Sequence, residues 1–331
     1  MVRNIRRAAV ISVCTLLLCT ASACNKTDAG EHTGSSGINE SEFGEETGFG
    51  GETEEYIEES TTPEETLPES ADDTFRYVAE DAGIVITGLA DGVTVQTIVV
   101  PKSIEGTAVV GISDGAFRYN TGLESIVLQE GIISIGSRAF DNCTALSSVV
   151  IADTVSEIGT GAFAHCTALE KISIPGSVRT IGSSAFADCS NLKRADLASG
   201  IVTVGAYVFE GCKSLEAIDI PDSVITLGAC AFRHCEALSS VMLSSRIETI
   251  AFGTFMYCKL LTDIELSDMV SEIGYKAFAE CINLKRIEIT DSTIKIERDA
   301  FEACTRVRIE APSESYAAKW AKANDVVFTL N

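Results

Sequence analysis

The stretch "IGSRAFDNC", Ile135–Cys143, decides how the rest of the chain is read. Its phenylalanine is one of nine, Phe117, Phe140, Phe163, Phe186, Phe209, Phe232, Phe255, Phe278 and Phe301, each 23 residues after the last. Eight residues before the Phe stands Val or Ile in the first eight repeats, as at Ile132 and Val155, and five before it Ile, Val or Leu in all nine. Three after it is Cys in eight repeats and Asn120 in the first. Six after it is Leu, from Leu123 to Leu284, and Val307 in the last. Nine and eleven after it are apolar in the first eight, as at Ile172 and Ile174.

One such unit cannot enclose a core. Stacked in register, each coil buries its apolar side against the next and the core becomes continuous. The part "LxxIxI" alternates apolar and polar, which predicts a short strand with one buried face. Stacking those strands makes a parallel sheet. The Gly four before the Phe (Gly136, Gly159, Gly182, Gly205, Gly228, Gly274) is expected to permit a turn conformation closed to other residues, and "AFxxC" to form a short helical turn. Ser113, Ala251 and Glu297 depart from that Gly. The ninth coil loses the strand pattern at Glu310 and Pro312.

Outward from the repeats the composition changes. Residues 25–73 hold 16 acidic residues against Lys26, with few apolar residues and no period, and are expected to be disordered. As a flexible coil this segment would have an end-to-end distance of about 35–42 Å. Before it, Arg3, Arg6 and Arg7 precede the apolar run Ala8–Ala21, shorter than the ~20 residues of a spanning helix. "TASAC" then leads small residues into Cys24. This resembles a bacterial lipoprotein signal, which implies a signal peptide over 1–23 and lipidation of Cys24. The alternative is an ordinary signal peptide cleaved near Ala23. The domain plan is thus signal 1–23, lipidated Cys and acidic linker 24–73, and repeat domain 74–331, with an N-terminal cap at 74–97, repeats at 98–312 and a C-terminal cap at 313–331.

The motif "LxxIxIPxxVxxIGxxAFxxC" resembles the BspA-type leucine-rich repeat of bacterial surface proteins. The resemblance implies an α/β-type repeat solenoid of about nine 23-residue coils, an N-terminal β cap, and a C-terminal helix and strand in "SYAAKWAKANDVVFTL". It also implies a non-enzymatic, cell-surface protein-binding or adhesion module with partners such as host matrix proteins. The alternative is a structural protein binding cell-wall or envelope components; an enzyme comes third.

The residues themselves offer little chemistry. The formal charge of −23 excludes a phosphate-backbone partner and a polybasic membrane mode, leaving the lipid as the only membrane contact. The repeated cysteine invites a metal or disulfide reading, since an exported protein can oxidise. Ladder cysteines, however, lie one per coil, with parallel Cβ vectors about 4.8 Å apart where a disulfide needs about 3.8 Å. We therefore expect free buried thiols and no cofactor. "CAFRHC", Cys230–Cys235, is no better a metal site, because Cys235 belongs to the ladder. His165 and His234 share one repeat position three coils apart and are expected to be solvated turn residues.

Recognition is then expected in the variable positions. The outward strand columns carry Lys171, Arg194, Asp196, Asp219, Met242, Asp263, Glu265, Arg286 and Glu288. A second group, Phe252 and Tyr275 on adjacent coils with Tyr257 nearby, is expected to form an exposed aromatic contact site.

Overall fold

The computed structural model describes residues 73–289 and 294–330. The coils wind into a parallel β-solenoid. One side carries eleven strands, from Thr97–Val100 through Ser125–Leu128 to Val327–Leu330, all parallel where they pair. The other carries shorter strands, such as Ser134–Ile135 and Thr180–Ile181, again in a 23-residue register. About eleven turns replace the nine expected, because each cap contributes a rung of its own. The strands Phe75–Glu80 and Gly83–Leu89 pair antiparallel, and the second adds in parallel to Thr107–Ile112. At the other end the helix Tyr316–Ala323, capped by the Ser315 hydroxyl accepting from the Ala318 N–H, leads into the closing strand.

The "AFxxC" segments are not helices. They are successive turns closed by i→i+3 bonds, as from the Ala139 N–H to the Gly136 carbonyl and the Cys143 N–H to the Phe140 carbonyl. Their other amides form a third ladder: the N–H groups of Arg138, Phe140 and Asn142 donate to the carbonyls of Thr160, Ala162 and Ala164 one coil on. Such a ladder needs two left-handed residues per coil, two before and two after the Phe. Arg138 (φ 55°) and Asn142 (φ 62°) supply them here, and His165, Asp188 and Tyr257 do so elsewhere.

The glycines four before the Phe serve a different purpose from the one expected. None of them has positive φ. A Cβ on Gly228 would lie 2.3 Å from the Ala206 nitrogen, and one on Gly182 2.6 Å from the Gly159 carbonyl carbon. The missing side chain lets neighbouring backbones touch.

Inside, the nine phenylalanines form one stack, with ring centroids 5.0–5.6 Å apart and planes within 13°. Beside it runs the cysteine column. Each thiol donates to the carbonyl of the Phe one coil back, at 2.9–3.3 Å, as Cys143 does to Phe117. A residue here must be small, apolar enough to bury and able to donate once, which Cys satisfies. The first coil has no Phe carbonyl behind it. There Asn120 instead accepts from the Gly122 N–H. All nine cysteines among the described residues are free and buried. Burial pushes the thiols of Cys143 and Cys189 up to about 12, and raises those of Cys212 and Cys235 well above the ordinary thiol value.

The long-strand ladder parts between Ser148–Val150 and Lys171–Ile174, and at one further place both ladders part together. Thr226–Leu227 does not pair with Thr249–Ile250, nor Ser240–Met242 with Asp263–Glu265. Ala251 stands where Gly228 and Gly274 stand in the flanking coils, and its methyl holds this coil away from the last. The turn ladder and the Phe232–Phe255 stack still cross the gap. Gly228 and Gly274 donate their N–H groups to Val204 and Ile250, whereas Ala251 has no backbone acceptor among the described residues. Its amide should therefore exchange with solvent deuterium faster than those of Gly228 and Gly274. Equal protection of all three would show the ladder to be closed.

The last repeat strand was hidden by a one-residue shortening. Arg308 pairs with Arg286, 22 residues earlier, so Ile309 and Ala311 turn inward and Glu310 outward.

Candidate functional site

The outward face of the long strands holds the residues read as a partner surface, and the solenoid register sets them side by side. Lys171 neighbours Arg194, and Ser173 neighbours Asp196. Asp196 binds both cations, with Arg194 Nε at 2.5 Å and Lys171 Nζ at 3.4 Å. Partial burial opposes its ionisation, but those two hydrogen-bonded cations hold its carboxyl below the usual carboxylate range. Farther along, Arg286 joins Glu288 at 2.5 Å and Glu310 at 2.8 Å. Glu310 was missed in the sequence because of the shortened coil.

The charges expected to be presented outward are thus largely spent on each other. No cation lies within 4 Å of Asp219, Asp263 or Glu265 among the described residues, and all three are exposed. Between them Met242 is 64% exposed, on the strand bordering the parted ladder. A depression there is walled by Val241, Met242 and Leu243 on one coil and Ile264, Glu265 and Leu266 on the next.

The aromatic group divides in two. Phe252 and Tyr275 stack at 5.9 Å, with Lys276 Nζ 5.6 Å from the Tyr275 ring centre. Tyr257 stacks instead on His234 at 4.3 Å. Burial, then the nearby Arg233 cation, depresses the His234 imidazole below its ordinary value.

His165 is exposed in a turn, as expected, and is also bonded on one side. Its Nδ1 lies 3.0 Å from Asp141 Oδ1, and Asp141 is buried. Arg118 Nε donates to the other Asp141 oxygen at 2.8 Å, and Asn142 Nδ2 to Oδ1 at 2.7 Å. The signal was present one residue after the Phe. In that column, where Ala164, Ala187 and Ala279 recur, Arg118 and Asp141 stand on adjacent coils. Cys24 lies outside the described residues.

A 23-residue parallel coil with a stacked Phe column, a thiol column and a broad outward strand face defines a leucine-rich-repeat solenoid, an architecture that offers extended binding surfaces. The BspA type leucine rich repeat region matches residues 110–235 and 195–308. The chain belongs to that family. A solved leucine-rich-repeat protein of T. pallidum is 29% identical, with 66% of this chain and 91% of that one covered and a TM-score of 0.50. A leucine-rich cell-surface protein of Faecalibacterium prausnitzii is 21% identical over 76% of this chain and 96% of its own, with a TM-score of 0.34. A Bacteroides ovatus leucine-rich-repeat protein is 21% identical over 80% and 100%, with a TM-score of 0.34. No curated protein matches the chain.

Proposed function

We propose that this chain is a non-enzymatic, protein-binding module, exported and held at the bacterial surface by a lipid on Cys24, with residues 25–73 as its tether. The observation that carries the reading is the outward strand face. It is wide and aligned, its Lys171–Arg194–Asp196 and Arg286–Glu288–Glu310 groups pair most of their charge internally, and it keeps Met242, Asp263 and Glu265 exposed between them. Paired charges keep such a face soluble and fix its shape, while the unpaired acids and the exposed Met are left for a partner. Phe252 and Tyr275 offer a smaller second contact on the turn side.

Two experiments bear on it. In a bacterial host that processes lipoproteins, the full chain should partition with membranes and Cys24→Ala should release it; equal partitioning would remove the anchor. Purified full chain should retain a purified host matrix protein, and that retention should fall at least tenfold in Met242→Ser/Glu265→Lys. Retention of cell-wall material alone would instead favour a structural envelope role.

A further inference from the structure

The turn face of the first four repeat coils carries a polar constellation that the strand-face reading does not use. A carboxylate buried as deeply as Asp141, 6% exposed at its side chain, loses hydration and is stable only when bonded on every side. Arg118, Asn142 and His165 provide those bonds from three consecutive coils. An apolar residue would fill the position more simply, as Ala164 and Ala187 do one and two coils on. The outcome of the expensive arrangement is orientation. The Asp141 oxygen accepts from the ring, which places a proton on His165 Nδ1, and in its neutral form the ring presents Nε2 outward as an acceptor.

That acceptor faces a second one. Asp188 Oδ2 lies 3.6 Å from His165 Nε2, and the two side chains are 58% and 47% exposed. Asp188 Oδ1 lies close against Gly211 of the coil beyond it, where a Cβ would come within 2.3 Å. Two fixed acceptors at this separation converge on a donor brought from outside. The Asn142 amide oxygen, which no donor approaches among the described residues, adds a third acceptor, and exposed Arg138 supplies donors. At the N-terminal end of the same face Tyr119 is 61% exposed, with Arg118 on its ring at 4.5 Å. These groups line one open depression of about 460 Å³, within the size range of small-ligand sites.

Charge then selects the ligand. Arg118 and Arg138 balance Asp141 and Asp188, and Glu210 at the rim is paired with Arg233 at 3.2 Å, so the patch is locally neutral in a chain of net charge −23. A cation would meet two arginines and an anion two aspartates. A hydroxyl-rich neutral molecule with an apolar C–H face satisfies both the alternating donors and acceptors and the exposed ring. We propose that this face is a carbohydrate-binding subsite. A neutral pyranose would have hydroxyls donating to His165 Nε2 and Asp188, and an adjoining residue of the same glycan would lie against Tyr119.

The test is a microarray of neutral glucose, mannose, galactose and N-acetylglucosamine oligosaccharides, with sialylated and free-amine glycans on the same slide, probed with the full chain. Neutral glycans are expected to bind. Titration of a bound oligosaccharide should show at least tenfold weaker affinity for Tyr119→Ala and for Asp188→Ala, and unchanged affinity for Met242→Ser. Both test positions are exposed, and unchanged circular dichroism and melting temperature verify that the variants fold. Absence of any neutral glycan among the ligands, preference for charged ones, or undiminished binding by both variants would each overturn the proposal. Loss with Met242→Ser alone would do so too, and would assign the glycan to the strand face.

Discussion

Raising the pH above about 9 is expected to unfold the solenoid steeply, with the cysteine column as the cause. The folded thiols of Cys143, Cys166, Cys189, Cys212, Cys235, Cys258 and Cys281 are all raised by burial. Unfolded thiols titrate near 8.5. Below that value both states are protonated and stability is unaffected. Above it only the unfolded chain releases protons, so each thiol removes about 1.4 kcal/mol per pH unit until its folded value is reached. For Cys143 and Cys189 that upper end is about 12. Seven such groups sum to roughly 10 kcal/mol per unit, comparable with the whole stability of a typical domain of about 5–15 kcal/mol. Circular dichroism and thiolate ultraviolet absorbance, followed together from neutral pH upward, should change in one cooperative step. Replacing Cys189 and Cys212 by Ala should lower the slope by about 2.7 kcal/mol per unit. Thiolate appearing gradually while the fold persists would contradict buried thiols.

Phe209→Ala should be the most damaging single change in the middle of the repeats. Phe209 is fully buried and stacks on Phe186 and Phe232, each at 5.6 Å. Removing a buried Phe costs about 3–5 kcal/mol. In a solenoid each coil touches only its neighbours, so the loss falls on the coupling between two halves as well as on one coil. The single tryptophan gives a local report. Trp320 sits in the C-terminal cap, edge-on to Phe301 at 5.7 Å. In the natural protein its fluorescence and the circular dichroism should report one urea transition. In Phe209→Ala the dichroism midpoint should fall and the two curves should separate. Coincident, unshifted curves would mean that the Phe stack does not couple the coils.

What the sequence disclosed, and what it withheld, follows from where each cause lies. The buried "LxxIxI" alternation is a property of one repeat, and the Phe period and the spacing that keeps the ladder cysteines free follow from repeating it in register. The glycines were read as conformational because a single coil suggests nothing else. Their reason, a backbone contact with the coil before, exists only in the stack. The strand Arg308–Ala311 escaped because one missing residue inverts which side chains point inward. Asp141, His165 and Asp188 lie in two repeat columns on three coils, so no linear motif contains them. Reading down columns, where Arg118 and Asp141 stand on adjacent coils ahead of Ala164 and Ala187, would have brought them together.

The identity of the cysteines has a functional corollary. A rung is fixed by its neighbours above and below, and changing it tests only stability. Under the proposed function, recognition falls to positions that the stack leaves free, among them the exposed Met242 on the strand side. The most direct test of this division is the affinity of the full chain for its retained protein partner, measured by surface plasmon resonance alongside the melting temperature. The triple variant Arg194→Glu/Met242→Ser/Arg286→Glu should lose at least tenfold in affinity while its melting temperature stays within a few degrees of the natural protein's. Undiminished affinity in a folded triple variant would contradict the strand face as the binding surface.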